Sequence, residues 1–297
     1  MSVFDGFPPV RGILQEKVDL AKKSRFGVGG SAEILFTPED VDDLVFFLRN
    51  IPEGYPITIL GAMSNVLIRS GGIDGIVIML GNWFKKIFVE DGILEVGAAV
   101  NCSELSTVAT DSELGGLEFL MGLPGSVGGA LKMNAGCYGS EISDALVEFE
   151  AVSTDGRIKW FKASEVDFGY RTSGISDDVI ITRAWFRGLQ DVDYVISKRN
   201  NEIIKKRMDS QPLNKRSCGS TFKNPEGKKA WELINAVGCR GMRVGGAVVS
   251  EKHCNFIIND GSATPEDIEC LGINVIDKVQ QMTGIKLEWE VIRLGRQ

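Results

Sequence analysis

Histidine is almost absent from this sequence, since His253 is the only one among 297 residues. None of the six cysteines forms a Cys-x-x-Cys pair. Because zinc ligands usually come as closely spaced Cys and His pairs, we expect no metal site and interpret the cysteines as reduced, mostly buried thiols. A Ser-His hydrolase is disfavoured as well, because neither Ser126 nor Ser220 lies in a Gly-x-Ser-x-Gly motif.

A basic excess and a long apolar run are also missing. The formal net charge is -7, which disfavours nucleic-acid binding. No segment reaches the roughly 20 apolar residues that span a bilayer, and the N-terminal "MSVFDGFPPVRG" lacks a signal-peptide pattern. We therefore expect a cytoplasmic protein without membrane insertion, a monomer or weak oligomer.

The length fits about two domains, and hydrophobic (43%) and charged (25%) residues are balanced as in a folded chain. The pattern of elements changes near residue 190, which predicts domains 1–190, split near residue 80, and 191–297. Thr-Pro-Glu-Asp predicts helix starts at Thr37 and Thr264. A hairpin is predicted at residues 155–156, and a last strand over 286–294.

Two loops are rich in glycine. One is "GAMSN" (61–65), and the other lies within residues 115–139, which contain eight glycines. Such loops present backbone N–H groups to an anion such as a pyrophosphate, so they predict a bound cofactor. The dinucleotide fingerprint is disfavoured for "GVGGSA" (27–32), because no strand precedes it, and there is no P-loop.

Seven blocks carry a resemblance to a known family. In chain order they are "FGVGG" (26–30), "LGAMSNVLI" (60–68), "GLPGSVGGALKMNAGCYG" (122–139), "GYRTS" (169–173), "GSTFKNP" (219–225), "GMRVGGAVVSEKHCNFIIN" (241–259) and "LEWEV" (287–291). Together they resemble the UDP-N-acetylenolpyruvoylglucosamine reductases, over residues 18 to 295. The chain differs from the usual pattern at "GAMSN", where relatives have more glycine.

The resemblance implies an α/β (α+β) fold. Residues 1–190 would form an FAD-binding domain of the vanillyl-alcohol-oxidase type, with FAD between two subdomains. Residues 191–297 would form a substrate-binding domain, with the last strand, 286–295, returning to the flavin site. The short spacing from Tyr170 to Ser220 resembles the subclass without an extra tyrosine-bearing loop.

The resemblance also implies a reaction. NADPH, as co-substrate, would reduce a non-covalent FAD. A hydride would then pass from flavin N5 to C3 of UDP-N-acetylglucosamine enolpyruvate and a proton from Ser220 to C2, giving UDP-N-acetylmuramate for peptidoglycan. Arg171 would stabilise the enolate, and Glu290 would act in the same site. Glu288 shares a strand face with Glu290, but the family pattern selects the acid directly before Val291.

Two sets of binding residues follow from the same resemblance. FAD would be contacted by Gly61, Ala62, Met63, Ser64, Asn65, Pro124, Gly125, Ser126, Gly128, Gly129, Asn134, Ala135 and Gly136. The UDP-sugar would be contacted by Asn224, Arg240, His253, Asn255 and Tyr170.

Two alternatives remain open. One is another FAD oxidase or dehydrogenase of the same fold, acting on alcohols or hydroxy acids. The other is a catalytically inactive nucleotide-binding relative, which the presence of Ser220, Arg171 and Glu290 disfavours. The position of His253 outside the FAD-binding domain favours non-covalent FAD.

Overall fold

The computed structural model describes residue 4 and residues 6–297. Residues 1–3 and 5 lie outside the described residues; they are part of the N-terminal segment in which the sequence shows no signal-peptide pattern. The chain forms two compact units, each made of three segments. The first unit contains Met1–Glu16, Ile34–Ala62 and Gly75–Lys206, and the second contains Lys17–Glu33, Met63–Asp74 and Arg207–Gln297. The division predicted at residue 190 stays a prediction.

Helices and groups of strands are interspersed along the chain, in agreement with the predicted α/β (α+β) class. The strands are β1 Ile13–Asp19, β2 Ser31–Thr37, β3 Ile57–Ile59, β4 Val66–Ile68, β5 Ile73–Ile78, β6 Ile87–Glu90, β7 Ile93–Gly97, β8 Leu114–Gly115, β9 Gly136–Cys137, β10 Ser140–Glu141, β11 Leu146–Ser153, β12 Ile158–Lys162, β13 Val179–Arg187, β14 Leu189–Gln190, β15 Arg243–Val244, β16 Ala247–Val249, β17 Ile257–Asn259 and β18 Ile292–Leu294. The α-helices are α1 Val41–Asn50, α2 Cys102–Asp111, α3 Val127–Lys132, α4 Ile142–Ala145, α5 Asp193–Ser210, α6 Ala230–Ala236 and α7 Pro265–Thr283. Short 3-10 helices cover Asn82–Lys85, Glu118–Gly122 and Ala163–Glu165.

The first unit contains a five-stranded antiparallel sheet of order β12-β11-β13-β7-β6. Its inner face packs on α2, α3 and the 118–122 turn in one hydrophobic core. The predicted hairpin is confirmed, because β11 and β12 pair across Gly156, whose φ of 78° suits a turn glycine. A second core packs α1 on β2 and β5, with Phe36 and Phe47 ring centroids 3.9 Å apart.

The second unit is built on α7 and an antiparallel sheet of order β15-β16-β17. The predicted start of α7 is confirmed, since Thr264 and Asp267 form a capping box and Pro265 follows the cap. Gly284 ends the helix in the left-handed conformation, with φ 73°. The buried face of α7, including Ile268 and Val275, packs into a core with α6.

The last predicted strand is only partly regular. Strand β18 covers Ile292–Leu294 and pairs in parallel with β4, whereas residues 286–291 are not a continuous strand. The reason is a bulge, because the N–H groups of Glu290 and Val291 both donate to Thr221 O, at 2.8 and 3.3 Å. A periodic sequence pattern does not predict such an interruption.

Two features are absent from the part of the chain that the structure describes. No helix there combines the length and apolar character of a bilayer span. No group of three or more His, Cys, Asp or Glu side chains there is placed to hold a metal ion. The cysteines are free, and four of the six are buried, as the sequence predicts.

Candidate active site

Ser220 lies in an extended segment of the second unit, residues 220–223. Gly219 begins it with φ 77°, a left-handed conformation that glycine adopts without strain. The neighbouring thiol of Cys218 is buried, and desolvation raises its pKa to about 12, so it stays protonated. The Ser220 side chain itself is half-buried.

A second extended segment, residues 287–291, brings Glu290 beside the Ser220 segment. Phe222 and Trp289 form an antiparallel bridge, and Lys223 N donates to Glu288 O at 2.9 Å. The carboxylate of Glu288 is exposed and lies 4.0 Å from Lys223 Nζ. Glu290, at the bulge opposite Thr221, is half-buried. Bulges often occur next to active sites, and Glu290 lies at this one.

Helix α7 supports this segment through a contact that the sequence does not reveal. A Cβ at Gly272 would lie 2.0 Å from Trp289 Cη2, so only glycine leaves room for the indole. The Trp289 ring also lies 5.2 Å from the Phe222 ring and 4.7 Å from the Arg293 guanidinium. Glu269 accepts from Arg293 at 3.0 Å, and hydrogen bonds led by Arg69 lower the pKa of its carboxyl.

The part of the first glycine-rich loop in the second unit is tied to the Glu290 segment. Asn65 Nδ2 donates to Glu290 O at 2.9 Å, and Asn65 O accepts from Ile292 N at 3.0 Å. Met63 is buried and left-handed, with φ 47°, a conformation that a glycine would adopt more readily. Ser64, which lies between Met63 and Asn65 in the sequence, is half-buried.

In the first unit, the remainder of that loop meets the second glycine-rich loop. A Cβ at Gly61 would lie 2.7 Å from Ser126 Oγ, so the backbone of one loop touches the hydroxyl of the other. Ser126 is buried, and its hydroxyl does not cap α3 although it stands at the N-cap. Ala62 is exposed next to Gly61. The buried hydroxyl of Ser126 can donate a hydrogen bond, and the backbone beside it, at Gly61, is exposed and has no Cβ. This arrangement suits the phosphates of a dinucleotide, so these residues fit FAD.

Not every amide of the second loop is available to a ligand. Val127 N and Gly128 N donate to Val100 O and Ala98 O, at 2.8 and 2.9 Å. Gly125, with φ 116°, accepts from Cys102 N at 3.0 Å through its carbonyl. Pro124 and Gly129 flank these anchored residues; Pro124 is half-buried and Gly129 is exposed. Contacts to an anion from this loop must therefore come from its other groups, Ser126 above all.

Asn134, a predicted FAD contact, is buried and holds another loop in place. Its Nδ2 donates to Gly169 O at 3.1 Å, and its Oδ1 accepts from Ser143 N at 3.1 Å. The same loop is held at Ser173, whose hydroxyl donates to Lys132 O at 2.7 Å. Between these ties lies Arg171, in the left-handed conformation with φ 57°.

The side chains of Arg171 and Tyr170 stack, with the guanidinium 5.1 Å from the phenol ring centroid. Tyr170 is 51% exposed. Ala135 directly precedes β9 and Gly136 begins it; Ala135 O accepts from Ile142 N at 3.0 Å, and Gly136 pairs with Glu141 of β10. Both residues therefore take part in backbone pairing within the first unit.

Four of the five predicted substrate contacts, all except Tyr170, lie in the second unit together with Ser220 and Glu290. Asn224 is exposed, and its Oδ1 accepts from Ala230 N, the first residue of α6, at 3.0 Å. The Arg240 guanidinium donates to Asn235 Oδ1 at 3.0 Å and to Glu251 O. These bonds use part of each side chain's hydrogen-bonding capacity.

His253 is partly buried between aromatic rings. Its ring centroid lies 4.8 Å from that of Phe256 and 6.4 Å from that of Trp231. Burial, with the charge of Arg240, lowers the pKa of His253 below its ordinary value. The neutral ring accepts from Asn255 N at 3.3 Å through Nδ1. Asn255 is buried, and its side chain bonds only backbone groups of Phe222 among the hydrogen bonds described.

The structure therefore brings Ser220 and Glu290 onto paired segments of one unit. Arg171 and Tyr170 lie in the other unit, as do Gly61, Ala62 and the second glycine-rich loop. The sequence did not indicate a role for Gly272, Trp289 or Thr221. An aromatic residue directly before a predicted catalytic acid was the available signal for Trp289.

Known proteins match this chain along nearly its whole length. Residues 211–294 match the family described as UDP-N-acetylenolpyruvoylglucosamine reductase, C-terminal domain, and residues 32–162 match the FAD binding domain. The UDP-N-acetylenolpyruvoylglucosamine reductase of Parvibaculum lavamentivorans is 46% identical over 99% of this chain and 95% of its own length. That of Gluconobacter oxydans is 45% identical over 97% of this chain and 94% of its own length.

A solved structure agrees with these relatives. The crystal structure of UDP-N-acetylenolpyruvylglucosamine reductase from Thermus caldophilus superposes with a TM-score of 0.84 at 34% identity, covering 96% of this chain and 100% of that one. The match confirms the fold class predicted from the sequence. The resemblance of the seven sequence blocks is confirmed too, and the chain belongs to the UDP-N-acetylenolpyruvoylglucosamine reductase family.

Proposed function

We propose that this chain reduces the enolpyruvyl group of UDP-N-acetylglucosamine enolpyruvate with NADPH and FAD, giving UDP-N-acetylmuramate. The reaction would supply a peptidoglycan precursor in the cytoplasm. Family membership supports the proposal. The observation that carries it is the pairing of the Ser220 segment with the Glu290 segment, which puts a hydroxyl and a carboxylate on adjacent backbones.

FAD would be held by the two glycine-rich loops. In the first unit Gly61 and Ser126 would approach the phosphates, while Val127 and Gly128 fix the loop through their own N–H groups. In the second unit Met63 and the neighbouring residues of "GAMSN" would do so through their backbone. FAD, when bound, supplies the hydride that NADPH delivers to it.

Ser220 would donate the proton to C2 of the substrate. A serine hydroxyl is a weak acid, so the donation needs negative charge developing at C2 and a geometry that keeps the hydroxyl within hydrogen-bond reach. The backbone bonds on both sides of residues 221–223 supply that geometry. Glu290, half-buried on the paired segment, would orient the reacting groups or return a proton to Ser220.

Arg171 would stabilise the negative charge that grows on the substrate carboxylate and C2. A guanidinium stays protonated and offers a fork of donors that suits a carboxylate or an enolate. Tyr170, Asn224, Arg240 and His253 would contact the nucleotide or sugar. The Asn224 Oδ1 accepts from Ala230 N at the start of α6, and the Arg240 guanidinium donates to Glu251 O, so both side chains have a defined position next to α6 and Glu251.

Spectroscopy of the purified protein tests the proposal. We expect a yellow protein whose flavin absorbance is bleached by NADPH and restored by the enolpyruvyl nucleotide under anaerobic conditions. Bleaching by an alcohol or hydroxy acid without NADPH would instead indicate an oxidase or dehydrogenase of the same fold. A protein that cannot take up FAD would refute the proposal and leave the inactive relative.

A further inference from the structure

Asn255 has a hydrogen-bonding pattern that a substrate contact does not need. The side chain is 3% exposed, and both ends of its amide are bonded to one residue. Oδ1 accepts from Phe222 N at 3.0 Å, and Nδ2 donates to Phe222 O at 2.8 Å. A side chain that bonds the N–H and the C=O of a single residue imitates the edge of a neighbouring strand.

The backbone around Asn255 extends this contact toward Ser220. Asn255 O accepts from Thr221 N at 2.7 Å, the residue after Ser220. Ile257 N donates to Thr221 Oγ1 at 3.2 Å. Thr221 and Phe222 are therefore held on one edge by residues 255–257.

The other edge of the same two residues faces the Glu290 segment. Thr221 O accepts from Glu290 N, and Phe222 bridges to Trp289. Phe222 cannot use its own N–H and C=O toward Trp289, because in this bridge the bonds come from the residues on either side. The Asn255 amide bonds the N–H and C=O of Phe222. The register between Ser220 and Glu290 therefore depends on Thr221 and Phe222, the two residues that Asn255 holds.

We propose that Asn255 is a positioning residue, which fixes Ser220 in register with Glu290 and does not contact the substrate. The inference rests on the proposed function, because it assumes that Ser220 donates the proton. Removing the clamp leaves two buried backbone groups of Phe222 without partners, and the segment must shift to satisfy them. A shift of about 1 Å at a proton donor slows the reaction about 100-fold.

Asn255→Asp is the main test variant. It keeps the shape of the side chain and the acceptor for Phe222 N, but it places a carboxylate oxygen against Phe222 O. The matched control is Asn259→Asp. Asn259 is also buried in the second unit; its Nδ2 donates to a backbone carbonyl, Phe26 O, at 2.8 Å, and its Oδ1 accepts from Gly261 N and Ala263 N rather than from Phe222 N.

The measurements separate proton transfer from binding and from folding. With FAD saturating, we expect Asn255→Asp to keep flavin reduction by NADPH within about twofold and to slow reoxidation by the enolpyruvyl nucleotide about 100-fold. The KM for that nucleotide should stay within about threefold. Hydrogen exchange of the variant without FAD should speed up at residues 220–223, whereas Asn259→Asp should leave both reoxidation and that exchange unchanged.

Ser220→Ala, measured in the same way, distinguishes failure of the inference from failure of the proposed function. If Ser220→Ala leaves reoxidation intact, the proposed role of Ser220 fails. If Ser220→Ala abolishes reoxidation while Asn255→Asp raises KM at unchanged kcat, Asn255 contacts substrate and the inference is wrong. The double variant should be no slower than Ser220→Ala alone, because the clamp acts through that hydroxyl.

Asn255→Gln keeps the experiment decisive if the aspartate variant does not fold. Glutamine retains the donor and the acceptor but moves them by one methylene, so we expect the same loss of reoxidation with an unchanged KM. Normal reoxidation and normal exchange at residues 220–223 in Asn255→Gln would overturn the inference. An equal slowing of both half-reactions in either variant would overturn it too, since that would indicate general loosening.

Discussion

The two units hold their proposed catalytic side chains in different ways. In the second unit, Ser220 and Glu290 sit on segments that are bonded to each other and clamped from outside by Asn255. In the first unit, Arg171 lies on a loop held at Gly169 and at Ser173. Proton transfer depends on hydrogen-bond geometry, whereas charge stabilisation falls off more slowly with distance. In each unit, the hydrogen bonds that hold the proposed catalytic residues therefore suit the dependence of its chemical step on distance and geometry.

The largest effect is expected in the second unit. Ser220→Ala removes the proposed proton donor and should slow flavin reoxidation by about 100- to 10,000-fold, because general acid catalysis contributes that much. Flavin reduction by NADPH should remain nearly unchanged. Stopped-flow absorbance of the two half-reactions measures both steps.

Ser217→Ala is the control for this prediction. It deletes another buried hydroxyl of the same stretch, outside the proposed site, and should leave both half-reactions unchanged. Equal loss of both steps in Ser220→Ala would contradict the assignment of Ser220 as the proton donor.

The next largest effect is expected from the loop of the first unit. Arg171→Gln removes the proposed cation and should slow reoxidation about 100- to 1,000-fold, the usual loss when one stabilising group is deleted. Arg171→Lys restores the charge without the planar fork, so we expect an intermediate rate. If a lysine at this position were no better than glutamine, charge would not be what Arg171 supplies.

A smaller effect on flavin reoxidation is expected from a substitution in α7 that displaces Trp289, the neighbour of Glu290. Gly272→Ala places a methyl group where Trp289 Cη2 now lies, 2.0 Å from the new Cβ. Overpacking of this kind costs about 1–3 kcal/mol of unfolding free energy, and displacement of Trp289 should also slow reoxidation. Urea denaturation and the same stopped-flow assay measure the two consequences.

The adjacent helix position supplies the comparison for Gly272. Ile273 is 45% exposed, so Ile273→Ala should change the unfolding free energy by only about 0.5 kcal/mol or less and leave reoxidation normal. A Gly272→Ala protein as stable as wild type would mean that the indole can move away without strain.

The smallest effect is expected from His253. Its pKa is lowered below 6.5 in the folded protein, so the folded state binds fewer protons than the unfolded state between those two values. Stability from the neutral ring is therefore present above pH 6.5 and is lost as the pH falls from there toward the folded pKa. No other side chain has an unperturbed pKa in this window, because His253 is the only histidine.

Urea denaturation from about pH 8 to about pH 5 checks the sign. Wild type should lose stability over the acidic half of that range, and His253→Gln should lose less there. An identical pH dependence of the two proteins would show that burial of the His253 ring does not disfavour its protonation.

The sequence predicted most of the elements whose signals are local. The helix start predicted at Thr37 is wrong, because Thr37 ends β2 and Asp40 caps α1 by accepting from Asp43 N. Helix α7 begins at Thr264 and ends before Gly284 because capping chemistry lies within a few residues of each end. The hairpin at Gly156 is local in the same way. The bulge at Glu290 was missed, because it arises from Thr221, far away in sequence, whose carbonyl accepts two successive N–H groups.

Within the candidate site, the sequence indicated which residues are present, but not which groups their side chains bond. Asn134 and Asn255 were predicted as ligand contacts, yet each amide in the structure bonds backbone groups. An asparagine side chain carries the same donor and acceptor for a ligand as for a peptide group, so residue type alone cannot separate the two roles. Gly272 gave no signal, because its function depends on an indole from another part of the chain.

The parallel pairing of β4 with β18 has a consequence for synthesis of the protein on the ribosome. Strand β4 leaves the ribosome early, but its partner is made only when translation reaches Ile292–Leu294. At about 5–20 residues per second, that edge stays unpaired for on the order of tens of seconds. The nascent strand is short and is followed by Arg69, and both features discourage pairing with other chains during the wait.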